Sequence, residues 1–145
     1  MAGGQPFVIR NPNVKIAGVD LSTHIKEVAV AMTAADVDTT ASGSGGHERI
    51  LGIRDDQFTL SAYSDFSASQ VDATIWPLFL GGSLFTVEVW GNPGGTLNSP
   101  VTNVNPKYWG TCILTEYHPI EGAIGDAAMT PLTLPVNGVI SRATA

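Results

Sequence analysis

The sequence predicts a mainly β fold, a β-sandwich or β-barrel with one short α-helix at about residues 67–79. Two observations predict this class. Several segments alternate apolar and polar side chains with a period of two, as half-buried strands do, and a single segment has helical spacing. With 145 residues, of which 43% are hydrophobic, the chain fits one globular domain, predicted at residues 14–145 behind an N-terminal arm at residues 1–13.

The N-terminal arm is predicted to be irregular because a glycine pair at residues 3–4, Pro6 and Pro12 oppose regular structure around a short apolar run. A capped turn follows at residues 20–25. There the Asp20 carboxylate can accept hydrogen bonds from the next backbone amides, and a strand is expected directly after the turn.

Two predicted strands, at residues 26–33 and 57–63, share one design: an apolar face alternates with a face of small, mostly uncharged groups. The apolar faces carry Val28, Val30, Met32, Phe58, Leu60 and Ala62. The opposite faces present Glu27, Ala29, Ala31, Thr33, Gln57, Thr59, Ser61 and Tyr63.

A long polar, glycine-rich segment separates these strands, and an extended loop is predicted at residues 35–49. Loops longer than about 12 residues in a compact domain are usually functional or disordered, because their backbone groups need partners. The run Gly43-Ser44-Gly45-Gly46 lacks the ending of a phosphate-binding loop and does not open a helix, so it indicates flexibility. We therefore predict that the missing partner of the loop is another subunit.

The predicted helix begins with a capping box, in which the Ser67 hydroxyl bonds the Gln70 amide and the Gln70 side chain reaches back. Apolar residues then recur at helical spacing and predict one face packed on the sheet: Val71, Ile75, Leu78 and Phe79. Pro77 and the glycine pair at residues 81–82 are expected to end or kink the helix.

Residues 83–90 alternate again and predict a strand, and residues 109–117 predict another. The segment between them, at residues 91–107, is rich in turn residues and carries no ligand-like cluster.

The last stretch predicts two closing strands joined by a hairpin at Asn137-Gly138, a dipeptide typical of two-residue turns. Pro131 and Pro135 lack amide donors, so this region is expected at a sheet edge or a bulge.

Composition and spacing argue against catalysis, and we predict no enzymatic activity, no cofactor, no metal and no catalytic residue. The three histidines, His24, His47 and His118, are dispersed and lack the spacing of metal ligands. Asp55-Asp56 precedes a strand and is interpreted as a solvated turn. Cys112 lies in an apolar run, which favours a buried and inert thiol.

The overall charge also excludes some partners. Seven basic against 13 acidic side chains give a formal charge of −6, which opposes tight capture of nucleic-acid phosphates. The N-terminus lacks a secretory pattern, and no apolar run approaches the roughly 20 residues of a membrane span, so we expect intracellular synthesis. The tryptophans, Trp76, Trp90 and Trp109, are predicted in the core or a subunit interface rather than in a sugar-stacking platform.

The order of several short motifs resembles the tail tube proteins of long-tailed bacteriophages. The motifs are Val19-Asp20-Leu21-Ser22, Val37-Asp38-Thr39-Thr40, Leu51-Gly52-Ile53-Arg54-Asp55, the helix through Asp72-Ala73-Thr74-Ile75-Trp76-Pro77-Leu78, Tyr108 before a strand, Ile124-Gly125-Asp126-Ala127 and Asn137-Gly138-Val139-Ile140-Ser141-Arg142. Each motif is short, so the resemblance rests on their order and spacing over about residues 14–143.

The resemblance implies a virion protein, made in the bacterial host cytoplasm, whose hexameric rings stack into a hollow tube for DNA passage. It also implies other tail proteins as partners, namely the tape measure, tail tip and terminator, and transient non-specific contact with passing DNA. By the same resemblance, the inter-ring contact loop comprises Asp36, Val37, Asp38, Thr39, Thr40, Ser42, Ser44, His47 and Glu48. The candidate lumen-facing residues are Glu27, Ala29, Ala31, Thr33, Gln57, Thr59 and Ser61.

The sequence ends at residue 145 without the immunoglobulin-like domain appended in some relatives, so we expect no surface-decorating role from such a domain. Two other functions stay open at this point. A capsid decoration or tail-completion protein shares the fold class, and a carbohydrate-binding β-sandwich module predicts an exposed row of aromatic rings on a stable monomer.

Overall fold

A computed structural model describes residues 6–145 of the chain; the glycine pair of the predicted N-terminal arm lies outside this range. In chain order the elements are β1 (Asn13–Ile16), β2 (Val19–Asp20), a 3-10 turn (Ser22–His24), β3 (Ile25–Ala31), β4 (Ala34–Asp38), β5 (Arg49–Arg54), β6 (Gln57–Tyr63), α1 (Val71–Gly81), β7 (Phe85–Trp90), β8 (Lys107–Cys112), β9 (Met129–Pro135) and β10 (Ser141–Ala143). The prediction of a mainly β fold with one short helix is confirmed.

Residues 6–145 form three antiparallel sheets. Their strand orders are β10-β8-β7-β1-β2, β3-β6-β9 and β4-β5. Side chains from the five-stranded sheet, the three-stranded sheet and α1 form one buried core, which includes Val14, Phe58, Ile75, Val87 and Leu134. The third sheet, β4-β5, contributes no residue to this core.

The alternation in the sequence correctly predicts the strands that contact the core. β6 has the predicted bounds, and Phe58, Leu60 and Ala62 are its buried side chains. β7 begins two residues later than predicted, at Phe85, and likewise buries every second residue. β8 is shorter than predicted and ends at the buried Cys112.

The end of β3 differs from the prediction. Val28 and Val30 pack against the core, but Met32 is 49% exposed because the strand ends at Ala31. Thr33, predicted on the polar face of this strand, lies beyond the strand in a bend. There its carbonyl accepts a hydrogen bond from the Asp55 amide at 2.7 Å.

The prediction of a capping box at the start of the helix is wrong. The helix begins at Val71, and its N-cap residue Gln70 has no side-chain cap bond. Instead the Asp65 carboxylate accepts a hydrogen bond from the Ser67 amide at 2.9 Å, and the turn at Ser67–Gln70 precedes the helix. The helix continues past Pro77 and ends at Gly81, and the left-handed backbone of its C-cap residue Gly82 (φ 63°) brings the Gly82 amide to the Leu78 carbonyl.

The predicted closing hairpin is also wrong, because β9 and β10 belong to different sheets: β9 pairs with β6, and β10 pairs with β8. In the crossover between them, at residues 136–140, the Asn137 amide donates to the Thr111 carbonyl at 2.7 Å. The prediction that the proline-containing strand lies at an edge is confirmed, since β9 is an outer strand of its sheet.

The turn after β2 forms as predicted: an oxygen of the Asp20 carboxylate accepts a hydrogen bond from the Ser22 amide at 2.9 Å. Within residues 6–145, no helix combines the length and the apolar character that crossing a membrane requires.

Candidate functional site

β3 to β6 form one long hairpin that is interrupted by a bend. The pairing of β3 with β6 ends at Ala31 and Gln57, and the pairing of β4 with β5 begins at Ala34 and Arg54. Residues 32–33 on one side of the bend and residues 55–56 on the other belong to neither ladder. The β4–β5 hairpin is therefore a separate two-stranded sheet joined to the body at its base.

The β4–β5 hairpin exposes apolar side chains on both of its faces. Val37 and Ile50 lie opposite each other and are 41% and 58% exposed, whereas Leu51 lies on the other face, opposite Asp36. Leu51 and Ile53 are 82% and 88% exposed. An isolated two-stranded hairpin is at best marginally stable in water, and apolar exposure on both faces adds to the cost. This geometry favours a hairpin that packs against a partner.

The segment predicted as a loop at residues 35–49 is partly strand. Its first residues, through Asp38, lie in β4, and Arg49 begins β5, so only residues 39–48 form a connection. Local bonds explain this: Asp36 pairs with Arg49 at 3.4 Å, and the Thr39 amide donates to the Glu48 carbonyl at 2.8 Å. The ladder therefore extends toward the tip of the hairpin.

The tip of the hairpin is exposed and bonded mainly to itself. The Glu48 amide donates to the Thr40 hydroxyl at 2.8 Å, and the Ser44 hydroxyl donates to the Glu48 carboxylate at 3.3 Å. Hydrogen bonds from the Thr40 side chain and amide, aided by His47, lower the pKa of Asp38 below its ordinary value. Ser42 lies in the turn at the end of the hairpin.

The outer face of the three-stranded sheet, the face turned away from the core, gathers most of the other predicted site residues. Pairing registers place its side chains in three cross-strand rows: Glu27–Ser61–Pro131, Ala29–Thr59–Thr133 and Ala31–Gln57–Pro135. Glu27 is the one charged side chain in these rows. Thr33 is not part of this face. Sequence reasoning missed the β9 members, since nothing local links them to β6.

The edges of this sheet are largely open. Among residues 6–145, no strand pairs with the outer edge of β3. At the β9 edge, Met129 bonds to Glu121 and the Pro135 carbonyl accepts from the Ile113 amide, but no strand lies beside the stretch between them. A sheet with open edges can be extended by strands of another chain.

Asp56 corrects the prediction of a solvated Asp55-Asp56 turn. Asp55 is exposed, whereas Asp56 is fully buried at the bend. Its carboxylate accepts hydrogen bonds from the Ile140 amide at 2.8 Å, the Thr33 amide at 3.2 Å and the Arg54 guanidinium. Burial acts to raise the pKa of Asp56, but these bonds together with the charge of Arg54 outweigh it and hold the pKa below its ordinary value.

The loop at residues 91–106 contains a cluster that the sequence analysis missed, a network of amide side chains shared with β1. Asn13 and Asn92 are fully buried, and the Asn92 side chain donates to the Asn13 side chain at 2.6 Å. The Asn105 side chain donates to the Asn92 side-chain oxygen at 3.0 Å, and the Asn98 backbone amide donates to the Asn13 side-chain oxygen at 2.8 Å. These bonds join the loop to Asn13 of β1, so the network fixes the loop to the five-stranded sheet. Asn13 is thus part of the body and not of the irregular arm.

Replacing Asn92 with leucine is expected to lower the free energy of unfolding by about 2–3 kcal/mol, because the buried side chains of Asn13 and Asn105 each lose one hydrogen bond. Those partners keep a second bond, which limits the loss. Chemical denaturation measures the change. Ser69→Leu is the matched control, since Ser69 is exposed and shares with Asn92 a left-handed backbone that leucine disfavours (φ 61° and 48°); equal stability losses in both variants would contradict a structural role for the network.

Residues with catalytic or ligand-binding potential are separated in the fold. His24, His47 and His118 each contact a different acidic side chain, namely Asp65, Asp38 and Glu116. Within the described part of the chain, no three His, Cys, Asp or Glu side chains meet as a metal site requires. Cys112 is buried as predicted, and burial raises the pKa of its thiol to about 12.

The three tryptophans do not form one exposed row. Trp90 is 8% exposed, whereas Trp76 is half exposed on α1 beside Phe79 and Tyr117. The geometry that a sugar-stacking platform needs is therefore not assembled from these three rings.

Comparison with solved structures places this arrangement among known folds. The chain is similar to the tail of a gene transfer agent particle with C6 symmetry, with 17% identity, a TM-score of 0.70, and coverage of 98% of this chain and 100% of that chain. It is similar to the SPP1 tail tube, with 11% identity, a TM-score of 0.73, and coverage of 97% and 80%. The chain has the tail tube fold. The tube-terminating cap of the anti-feeding prophage shares this fold, with 11% identity, a TM-score of 0.69, and coverage of 100% and 95%.

No protein-family model and no curated protein sequence matches the chain. The tail tube fold is therefore recognised through the path of the backbone. The structural likeness confirms the fold that the ordered motifs of the sequence imply.

Proposed function

We propose that this protein is the structural subunit of a phage tail tube, in which six copies form a ring and stacked rings form a hollow conduit for DNA. One observation carries the proposal: a chain with the tail tube fold keeps a separate β4–β5 hairpin with apolar side chains on both faces. Its likeness to a tail with C6 symmetry over 98% of its length supports the six-fold ring.

Within this proposal, the outer face of the three-stranded sheet lines the lumen. Its rows consist of small or neutral side chains apart from Glu27, so passing DNA meets no lysine or arginine within them. A carboxylate in each subunit repels phosphate weakly and disfavours sticking. The open edges of β3 and β9 allow neighbouring subunits to continue the sheet around the ring.

The β4–β5 hairpin is proposed to contact the adjacent ring. A heterologous contact of this kind does not close on itself, so it adds rings along an axis. Other tail proteins must then start and end the tube, and we propose the tape measure, tail tip and terminator as partners. The assembled protein is proposed to reside in the virion tail after synthesis in the host cytoplasm. The proposal assigns it no catalytic step.

Electron microscopy of concentrated purified protein tests this function. We expect hollow, open-ended tubes with six-fold symmetry in cross-section. A protein that stays monomeric at every accessible concentration, measured in parallel by native mass spectrometry, would contradict the proposal.

A tube-terminating or tail-completion protein is the second candidate, because the tail tube fold also occurs in a tube-terminating cap. The two functions predict different assemblies. A terminating protein forms single rings or caps that do not stack, so the length distribution of the particles in the same micrographs separates them.

Labelling of an introduced cysteine tests the proposed lumen face. Thr59 is exposed at the centre of the outer face, so Thr59→Cys is expected to react readily with a bulky polymer-linked maleimide in the free subunit. In preassembled tubes we expect its rate to fall at least tenfold, because the reagent can enter only at the ends. The native Cys112 is buried and gives little background.

Ala73→Cys serves as the control for this experiment, because Ala73 is exposed on α1, on a different surface of the subunit. Equal labelling rates for Thr59→Cys before and after assembly would show that this face does not line the lumen.

A further inference from the structure

Three separate segments of the chain meet at one buried carboxylate at the base of the β4–β5 hairpin. Thr33 lies in the connection between β3 and β4, and Ile140 lies in the crossover from β9 to β10. Arg54 is the last residue of β5, and Asp56 lies in the connection from β5 to β6. All three partners bond to the side chain of Asp56. The backbone of Asp56 adds a fourth link, since its carbonyl accepts a hydrogen bond from the Val136 amide at 3.0 Å.

The bend has little else to hold it. The β3–β6 ladder has ended and the β4–β5 ladder has not begun, so the bond from the Asp55 amide to the Thr33 carbonyl is the backbone link between the two sides. One hydrogen bond between two short segments allows rotation about it. The carboxylate of Asp56 restrains that rotation, because its oxygens bond to both sides of the bend and to the crossover.

The crossover is itself fixed to the body. The Ile140 side chain is 4% exposed and belongs to the core, and the Asn137 amide bonds to Thr111 in β8. The bonds between Asp56 and this segment therefore hold the bend in a fixed position relative to the five-stranded sheet, and not only relative to β3 and β6.

We infer that Asp56 is a positioning residue that sets the direction in which the β4–β5 hairpin leaves the body of the subunit. Its carboxylate joins the two sides of the bend to the buried crossover. Arg54, whose side chain is 36% exposed, closes the remaining side of the carboxylate. The consequence for assembly rests on the proposed function: a hairpin that points in one direction can meet the next ring without first paying an orientational cost.

Distance measurement between two spin labels tests this inference in the free subunit. Leu51→Cys places one label on the exposed face of the hairpin, and Ala73→Cys places the other on α1, while the buried Cys112 stays unlabelled. We expect a narrow distance distribution with the native Asp56. With Asp56→Asn, which removes the charge and one acceptor oxygen, we expect the distribution to broaden at least twofold.

Two controls separate positioning from general stability. Asp55→Asn makes the same chemical change at the neighbouring exposed residue and is expected to leave the distribution narrow. Leu134→Ala, a core substitution with a comparable or larger loss of stability, is also expected to leave it narrow while the subunit is folded.

A narrow, unshifted distribution in folded Asp56→Asn would overturn the inference. If Asp56→Asn does not fold, Arg54→Gln provides the decision, because it removes one partner of the carboxylate at a position whose side chain is 36% exposed. Broadening supports the inference, and an unchanged distribution overturns it. The measurement uses unassembled subunits, so its outcome does not depend on whether the protein forms tubes.

Discussion

Replacing Leu51 and Ile53 together with glutamine is expected to abolish tube assembly while leaving the folded subunit as stable as the native protein. Both side chains are more than four-fifths exposed in the subunit, so their loss removes little buried apolar surface from it. In the proposed assembly, burial of each side chain against an adjacent ring would stabilise the contact by about 1.5–3 kcal/mol. Losing about 3–6 kcal/mol per contact raises the concentration needed for assembly by roughly 10²–10⁴-fold.

Sedimentation of assembled material, combined with thermal unfolding of the free subunit, measures both parts of this result. Glutamine leaves the net charge unchanged, so electrostatic repulsion cannot explain a loss of assembly. The control variant exchanges the two residues for apolar ones, Leu51→Ile with Ile53→Leu, and is expected to assemble. Tubes of normal yield from the glutamine variant would exclude this part of the β4–β5 hairpin as an inter-ring contact.

The sequence predicts best the elements that contact the core of a single chain. The side chains of β6 and β7 alternate between buried and exposed because one face of each strand packs against the same buried cluster. This packing requires an apolar side chain at every second residue, which is visible in the local sequence. β5 has no such constraint. Its apolar residues, Ile50, Leu51 and Ile53, are exposed in the isolated subunit, so no core-facing pattern marks them as a strand.

Predictions that rested on local signals failed where distant segments decide the structure. Asn137-Gly138 is a strong hairpin signal, yet β10 pairs with β8 and leaves β9 in another sheet. Asp56 follows the pattern of a solvated turn, yet it is buried by contacts with Ile140, 84 residues away. These contacts are tertiary, so neither outcome could be derived from the neighbouring residues.

The candidate site shows the same division. The predicted polar residues of β3 and β6 lie on one face because the two strands pair in the register that their alternation implies. Thr33 does not lie on this face because β3 ends at Ala31 and the bend begins before Thr33. β9 was predicted as a strand, but its place on this face was missed because its pairing with β6 joins segments about 70 residues apart.

Replacing Asp56 with alanine is expected to lower the free energy of unfolding by about 3 kcal/mol, the largest stability effect among the substitutions proposed outside the apolar core. The change leaves the buried Ile140 amide and the Thr33 amide without their acceptor, and it leaves Arg54 without its partner. Chemical denaturation at neutral pH measures the loss, and Asp55→Ala is the matched control at an exposed position.

The pH dependence of this loss separates the ionised carboxylate from packing. The pKa of Asp56 is lowered in the folded protein, so the unfolded chain binds a proton first as the pH falls. The stabilisation is fully present above the unfolded pKa of about 4 and declines as the pH falls through the lower folded pKa. The difference between the native protein and Asp56→Ala should therefore be constant from about pH 5 to 8 and shrink below about pH 4. A difference that stays constant down to pH 2 would assign the effect to side-chain volume and not to the charge that holds the bend.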